Sequence, residues 1–259
     1  MELDYYQVDA FSSKVFFGNP AAVCPLSEWL DDGLMQLIAA ENNLPETAFF
    51  VSSGDRFELR WFTPKTEIDL CGHATLATAH VIFDLMGFHG GCLFFDTKSG
   101  ELSVEKRNGL LSMDFPSWRP KPIPMAERIV HSLGAKPARL LASRDVLAVF
   151  DDPEQVVALE PDMRLLAQCD ATCVIATAQG KDYDFISRVF APAVGIPEDP
   201  VTGSAHCTLT PYWAERLGKR ELHAFQASER GGELFCKEKG DRVEVAGYAA
   251  CYMKGTIYL

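Results

Sequence analysis

Polar and apolar positions alternate at the start of the chain. Tyr6, Val8 and Ala10 fall on one side and Tyr5, Gln7 and Asp9 on the other, which predicts a strand. The turn Phe17-Gly18-Asn19-Pro20 leads into a short apolar strand over residues 21–24. A helix follows, with Asp31 or Asp32 as its cap and Leu34, Leu37 and Ile38 as its apolar face. Asn42 and Asn43 end it, and Pro45 forbids its continuation. Glu46 then stands directly before an apolar strand over residues 47–51. After a strand over residues 57–62, residues 73–86 form a helix that is apolar nearly all round, from Ala74 and Leu76 to Phe83 and Leu85. Such a helix is buried. The strands to bury it are expected at residues 92–97, 101–106 and 110–115.

The proline-rich stretch from Pro116 to Pro124 is the clearest linker in the chain. Beyond it the pattern predicts a helix near residues 125–133, strands near 146–150 and 155–159, and a short helix after Pro161. Strands over residues 172–177 and 183–190 come next, then a helix over residues 204–217. Pro211 lies inside that helix, where a bend or an early loosening is expected.

One segment occurs twice. Arg60-Trp61-Phe62-Thr63-Pro64 followed by Cys71-Gly72 is matched by Arg188-Val189-Phe190-Ala191-Pro192 followed by Thr202-Gly203. Gly72 and Gly203 each open an apolar helical run that ends at a glycine, Gly87 and Gly218, 15 positions on. A duplicated strand–loop–helix unit predicts two similar lobes related by a pseudo-two-fold. The expected architecture is α+β: two pseudo-symmetric lobes, each a curved, mainly antiparallel sheet wrapped around a central buried helix. The N-terminal lobe is expected over residues 1–116, completed by the final strand at 252–259, and the C-terminal lobe over 117–251.

Length and composition suit this picture, with 259 residues, 47% hydrophobic and 23% charged. The net charge of −12 and the lack of a basic run with interleaved aromatics exclude a nucleic-acid partner. No apolar run approaches a membrane span, and the acidic start Met1-Glu2-Leu3-Asp4 is unlike a secretory signal, so a cytoplasmic protein is expected. The eight cysteines lie mostly singly in apolar stretches and read as small buried hydrophobes. The ligand set is not clustered, so no metal is expected.

Three places carry candidate chemistry. Glu46 sits where a helix end passes into a strand, a common position for any polar residue. Cys71, Gly72 and His73 open the first repeat helix. Asp199, Thr202, Gly203 and Ser204 open the second, where Thr202 or Ser204 also suits a simple cap. A helix N-terminus offers free N–H groups and about half a positive charge. If the lobes face each other, two such ends converge on one cleft, where Glu46 and Asp199 reach the same carbon of a bound carboxylate. That set suits proton abstraction beside a carboxyl group, with the N–H groups holding the enolate-like charge. A serine hydrolase built on Ser204 and His206 is a poor reading: there is no nucleophile elbow, and two residues that far apart on a helix do not face each other.

Taken together, several blocks resemble one family. Phe17-Gly18-Asn19-Pro20-Ala21-Ala22-Val23-Cys24, Leu44-Pro45-Glu46-Thr47-Ala48-Phe49, Arg60 to Pro64, Cys71-Gly72-His73-Ala74-Thr75 and Glu198-Asp199-Pro200-Val201-Thr202-Gly203-Ser204-Ala205 are similar to the signature blocks of the phenazine-biosynthesis PhzF-like isomerases, including the phenazine-biosynthesis-like domain proteins of animals. The resemblance runs from the first strand to the last and implies a diaminopimelate epimerase-like fold with the active site between two lobes. It also implies a cofactor-independent isomerase that takes a proton from a small carboxylate-bearing metabolite and returns it. By the same resemblance Glu46 moves the proton, His73 and Asp199 complete the catalytic set, and Gly72, Gly203, Ser204, Thr202 and Cys71 bind substrate. A homodimer is implied at family level, and neither cofactor nor metal is. Related two-base epimerases carry a cysteine at each helix start; here Cys71 occupies the first position and Pro200 the second. Racemisation by two thiols is thereby excluded, and a 1,3-type proton shift fits better. The competing expectation is a binding or regulatory module on the same fold, without turnover.

Overall fold

The computed structural model describes residues 1–259. The chain divides into two compact units: unit 1, residues 1–114 with 246–259, and unit 2, residues 115–245.

Unit 1 opens with β1 (Glu2–Ala10), β2 (Asn19–Leu26), α1 (Asp32–Asn42), β3 (Glu46–Ser53), β4 (Arg56–Phe62), β5 (Glu67–Ile68) and α2 (Gly72–His80). It continues through β6 (Cys92–Thr97), β7 (Gly100–Arg107) and β8 (Leu110–Pro116). Asp31 caps α1, its Oδ1 accepting from the backbone N–H groups of Gly33 and Leu34. Asn43 ends that helix in the left-handed conformation, φ 49°. Its buried residues are Met35, Ile38 and Ala39. Leu37, expected on the apolar face, points outward and is 68% exposed.

The buried helix is α2. Every residue from His73 to Ala79 is buried, and the helix contacts β1, β2 and β3. The apolar run does not continue as an α-helix to Met86. Val81–Leu85 form a π-helical turn in which Val81, Ile82 and Phe83 are all buried. The wider turn admits one more residue, and so three consecutive apolar side chains find cover.

Unit 2 contains β9 (Lys121–Ile123), α3 (Glu127–Leu133), β10 (Arg139–Ala142), β11 (Val146–Val149), α4 (Pro153–Val157) and α5 (Met163–Leu166). Then come β12 (Val174–Gln179), β13 (Phe185–Ala191), β14 (Ile196–Asp199), α6 (His206–Leu217), β15 (Glu221–Gln226), β16 (Gly232–Glu238) and β17 (Arg242–Gly247). Finally β18 (Ala249–Tyr258) pairs antiparallel with β1 in unit 1. The proline-rich stretch is partly structured, since β9 pairs with β10. The strand expected at 155–159 is instead α4: Asp152 caps it through the Glu154 N–H, and Pro153 at the first position favours a helix start.

In α6, residues His206 to Pro211, Trp213 and Ala214 are buried. Pro211 cannot donate to the Cys207 carbonyl. That carbonyl accepts the backbone N–H of Trp118 at 2.9 Å instead, so nothing is left unpaired by the proline. The Trp213 indole donates to Thr177 Oγ1 at 3.0 Å and stacks on Phe185.

Both units run through the same order of pairings. In unit 1, β1–β2 is antiparallel, β2–β3 parallel, β3–β4 antiparallel, β4–β6 parallel and β6–β7 antiparallel. In unit 2, β10–β11 is antiparallel, β11–β12 parallel, β12–β13 antiparallel, β13–β15 parallel and β15–β16 antiparallel. The protein is α+β, a mixed sheet with few helices. No helix is long and apolar enough to cross a membrane.

Candidate active site

The parallel register of β2 and β3 sets Ala21 opposite Glu46. Asn43 turns the chain out of α1 and Pro45 prevents a further helical turn, so Glu46 becomes the first residue of β3. It is 6% exposed, like His73 and Cys71. Cys71 is the N-cap of α2 in extended conformation and makes no side-chain cap bond, which leaves its thiol turned to its neighbours. His73 is the second residue of the helix.

These three side chains meet. His73 Nε2 lies 2.9 Å from Glu46 Oε2. The other ring nitrogen, Nδ1, lies 3.5 Å from Cys71 Sγ and 3.3 Å from Asn19 Nδ2. The Glu46–His73 contact is close but bent: neither Nε2 nor Oε2 has a well-aligned hydrogen-bond partner within the chain, although both atoms are buried. Buried polar atoms in that condition are rare and costly.

The charges follow from the packing. Burial pulls His73 down, but its contacts with Cys71 and Glu46 outweigh burial and hold the imidazole well above its ordinary value. Burial pushes the Cys71 thiol up, and the Glu46 charge adds to it against the opposing pull of His73. The Cys71 thiol, the His73 imidazole and the Glu46 carboxyl group thus sit together at the N-terminus of α2, with the proton affinities of the thiol and of the imidazole both raised.

In unit 2 the residues expected to act with this set are held by a second network. Asp199 Oδ2 accepts the Thr202 hydroxyl at 2.5 Å. Gln226, wholly buried on β15, spans the loop: Oε1 accepts the Thr202 N–H at 2.8 Å, and Nε2 donates to the Asp199 carbonyl at 2.7 Å. His206 Nδ1 lies 2.9 Å from the Thr202 carbonyl. Neither Thr202 nor Ser204 caps the helix. It starts at His206 behind Ala205, because Gly203 and Ser204 close a tighter turn whose carbonyls accept the N–H groups of His206 and Cys207.

The structure therefore joins Glu46, Cys71, Gly72 and His73 in unit 1, and Asp199, Thr202, Gly203 and Ser204 in unit 2. It adds two residues that the sequence did not single out. Asn19 lies in the Gly-Asn-Pro turn and in a family block but was given no role of its own, and Gln226 carried no motif. Only the strand register reveals either. The metal expectation rested on the absence of a clustered ligand set. In three dimensions Glu46, Cys71 and His73 form such a set, with one ligand atom from each lying within 4.8 Å of the others.

Against this geometry the relatives can be set. The chain matches the family described as phenazine biosynthesis-like protein (PhzC-PhzF) over residues 8–255, and it belongs to that family. It is 51% identical over 259 residues to an uncharacterized isomerase of Pseudomonas aeruginosa, with 100% of each chain covered. It is 40% identical over 301 residues to the phenazine biosynthesis-like domain-containing protein of Bos taurus, with 99% of each covered. Among solved structures it is similar to a phenazine biosynthesis protein of the PhzF family from Enterococcus faecalis, with 47% identity, 100% coverage of both chains and a TM-score of 0.98.

Proposed function

We propose that this protein is a cofactor-independent isomerase that removes a proton from a carbon of a small carboxylate-bearing metabolite and returns it to another carbon of the same molecule. The observation that carries the reading is the buried, poorly aligned contact of Glu46 Oε2 with His73 Nε2. A pair formed only for stability would be expected to satisfy both atoms. Here both retain hydrogen-bonding capacity for a third group, which is what an acid/base site requires. The isomerase name of the Pseudomonas aeruginosa relative supports the same class.

In this reading Glu46 is the base in the first step and the acid in the second. His73 orients a polar substituent and, by its raised proton affinity, supports negative charge as it develops. The N–H groups at the start of α2 receive the carboxylate. In unit 2, Asp199, tied to Thr202 and Gln226, stands with the backbone groups of Gly203 and Ser204 as a second set of candidate contacts. A single acidic group that takes and returns the proton fits transfer between two carbons better than inversion at one, because inversion needs a group on each face.

A thermal-shift screen of small carboxylates, with each binder then followed for isomerisation, tests the proposal. Binders that turn over are expected. Binders that never turn over would replace the isomerase with a binding module on the same fold.

A further inference from the structure

We propose that Glu46, Cys71 and His73 form a binding site for a borderline-soft divalent cation such as Zn²⁺ or Cd²⁺, and that its occupancy takes the acid/base cluster out of use. One thiol, one imidazole and one carboxylate are the donor types that zinc selects. They come from two separate stretches of chain, the start of β3 and the start of α2, with Cys71 25 positions after Glu46.

The spacing fits. A tetrahedral zinc with bonds of about 2.3 Å to sulfur and about 2.0 Å to nitrogen sets those two ligands roughly 3.5 Å apart. Cys71 Sγ and His73 Nδ1 are 3.5 Å apart. One ligand atom from each of Glu46, Cys71 and His73 lies within 4.8 Å of the others. Glu46 Oε2 faces Nε2 at 2.9 Å, so the carboxylate has to turn toward the Nδ1 side to complete the set. The fourth position stays open. The charges also fit: a thiolate and a carboxylate balance a dication, and the imidazole enters neutral. The Cys71 proton and the proton held on the His73 imidazole both leave for solvent as the metal–ligand bonds form. The positive end of α2 opposes a cation but stabilises the thiolate that binds it. A second observation points to a ligand, since Glu46 Oε2 is buried and lacks an aligned hydrogen-bond partner. Magnesium is excluded by its demand for oxygen ligands.

The cation site rests on the geometry of the cluster, and only its effect on acid/base chemistry rests on the isomerase reading. A protein that binds zinc here without ever turning over substrate leaves the site standing and removes only the catalytic proposal.

The test uses the purified full chain. Cobalt titrated into the protein should bind one to one and give a thiolate-to-cobalt charge-transfer band in the near ultraviolet, which zinc then displaces. Cys71→Ser should lose the band. Cys71→Ser, His73→Asn and Glu46→Gln should each weaken zinc binding by at least the roughly 10–100-fold that loss of even an outer-shell partner costs. X-ray absorption on the zinc-loaded wild-type chain needs no variant to fold and should find one sulfur in the first shell. No stoichiometric binding, no sulfur, or two or more sulfurs would overturn the proposal, as would a band that survives in folded Cys71→Ser.

Discussion

Glu46 Oε2 lies 2.9 Å from His73 Nε2, deep in unit 1, yet neither atom completes an aligned hydrogen bond there. The contact links the first residue of a strand to the second residue of a helix, so the backbone of both elements fixes it. A pair this buried matters to stability as well as to chemistry, and its charge state gives it a pH signature.

That signature has a definite sign. His73 is raised in the folded chain, so the stability it contributes is fully present below its unfolded value of about 6.5 and is lost as pH rises through the folded value. Urea unfolding of wild type and His73→Asn from about pH 5 to about pH 9 checks this. The gap between the two should narrow toward high pH; a gap that widens would reverse the assignment.

His206 behaves in the opposite sense. Burial lowers it to about 4, against the raising effect of its contact with the Thr202 carbonyl. The unfolded chain binds the proton first, so stability present above about pH 6.5 is lost as pH falls toward about 4, by about 3 kcal/mol in all. His206→Gln should flatten that part of the unfolding curve. An acid transition of unchanged depth in the variant would show that other groups drive it.

The repeated arginines make the same contacts. Arg60 bonds Glu67 through two parallel N–H groups at 2.7 and 3.0 Å and lies over the Phe62 ring. Arg188 bonds Glu198 through two at 2.8 Å and lies over Phe190. Arg188 also donates to the carbonyls of Val156, Val157 and Leu159, which ties α4 to β13. Lysine cannot reproduce a planar fork. Arg188→Lys should therefore cost about 2–4 kcal/mol, read by chemical denaturation. A cost near zero would mean the fork is decorative.

Glycine is required at position 18 for two reasons. Its φ is +73°, and an added Cβ would lie 2.2 Å from the Ala10 carbonyl oxygen. Gly54 shares the backbone strain, φ +68°, but has open space around it. Gly18→Ala should cost about 3 kcal/mol or more. Gly54→Ala should cost only the left-handed strain, about 1–2 kcal/mol. Thermal unfolding of the two variants separates clash from strain, and equal costs would contradict the difference in space.

How far the sequence reached can be judged at these same residues. The all-round apolar run from Ala74 predicted a buried helix because no polar stripe was available to face water. The same run could not announce the π-helical turn at Val81–Leu85, since turn width depends on what the neighbouring strands leave room for. Leu37 was misplaced because Met35 competes for the inner face and wins it. Residues 155–159 have strand-like valines, but the Asp152–Pro153 start decides for a helix. Glu46, Cys71 and His73 were legible as separate candidates. The resemblance also implied that they serve one site, but their mutual contacts were not legible, because these depend on how the start of β3, paired in parallel with β2, meets the start of α2. Asn19 and Gln226 were invisible for the same reason.

The most direct test follows the proton. A substrate found by the carboxylate screen is incubated in deuterated water with wild type and with Glu46→Gln, and the loss of its C–H signal is read by nuclear magnetic resonance. Wild type should exchange the proton, and Glu46→Gln should slow exchange by about 10²–10⁴-fold while keeping its near-ultraviolet circular dichroism. Exchange at the wild-type rate by a folded Glu46→Gln would contradict the account.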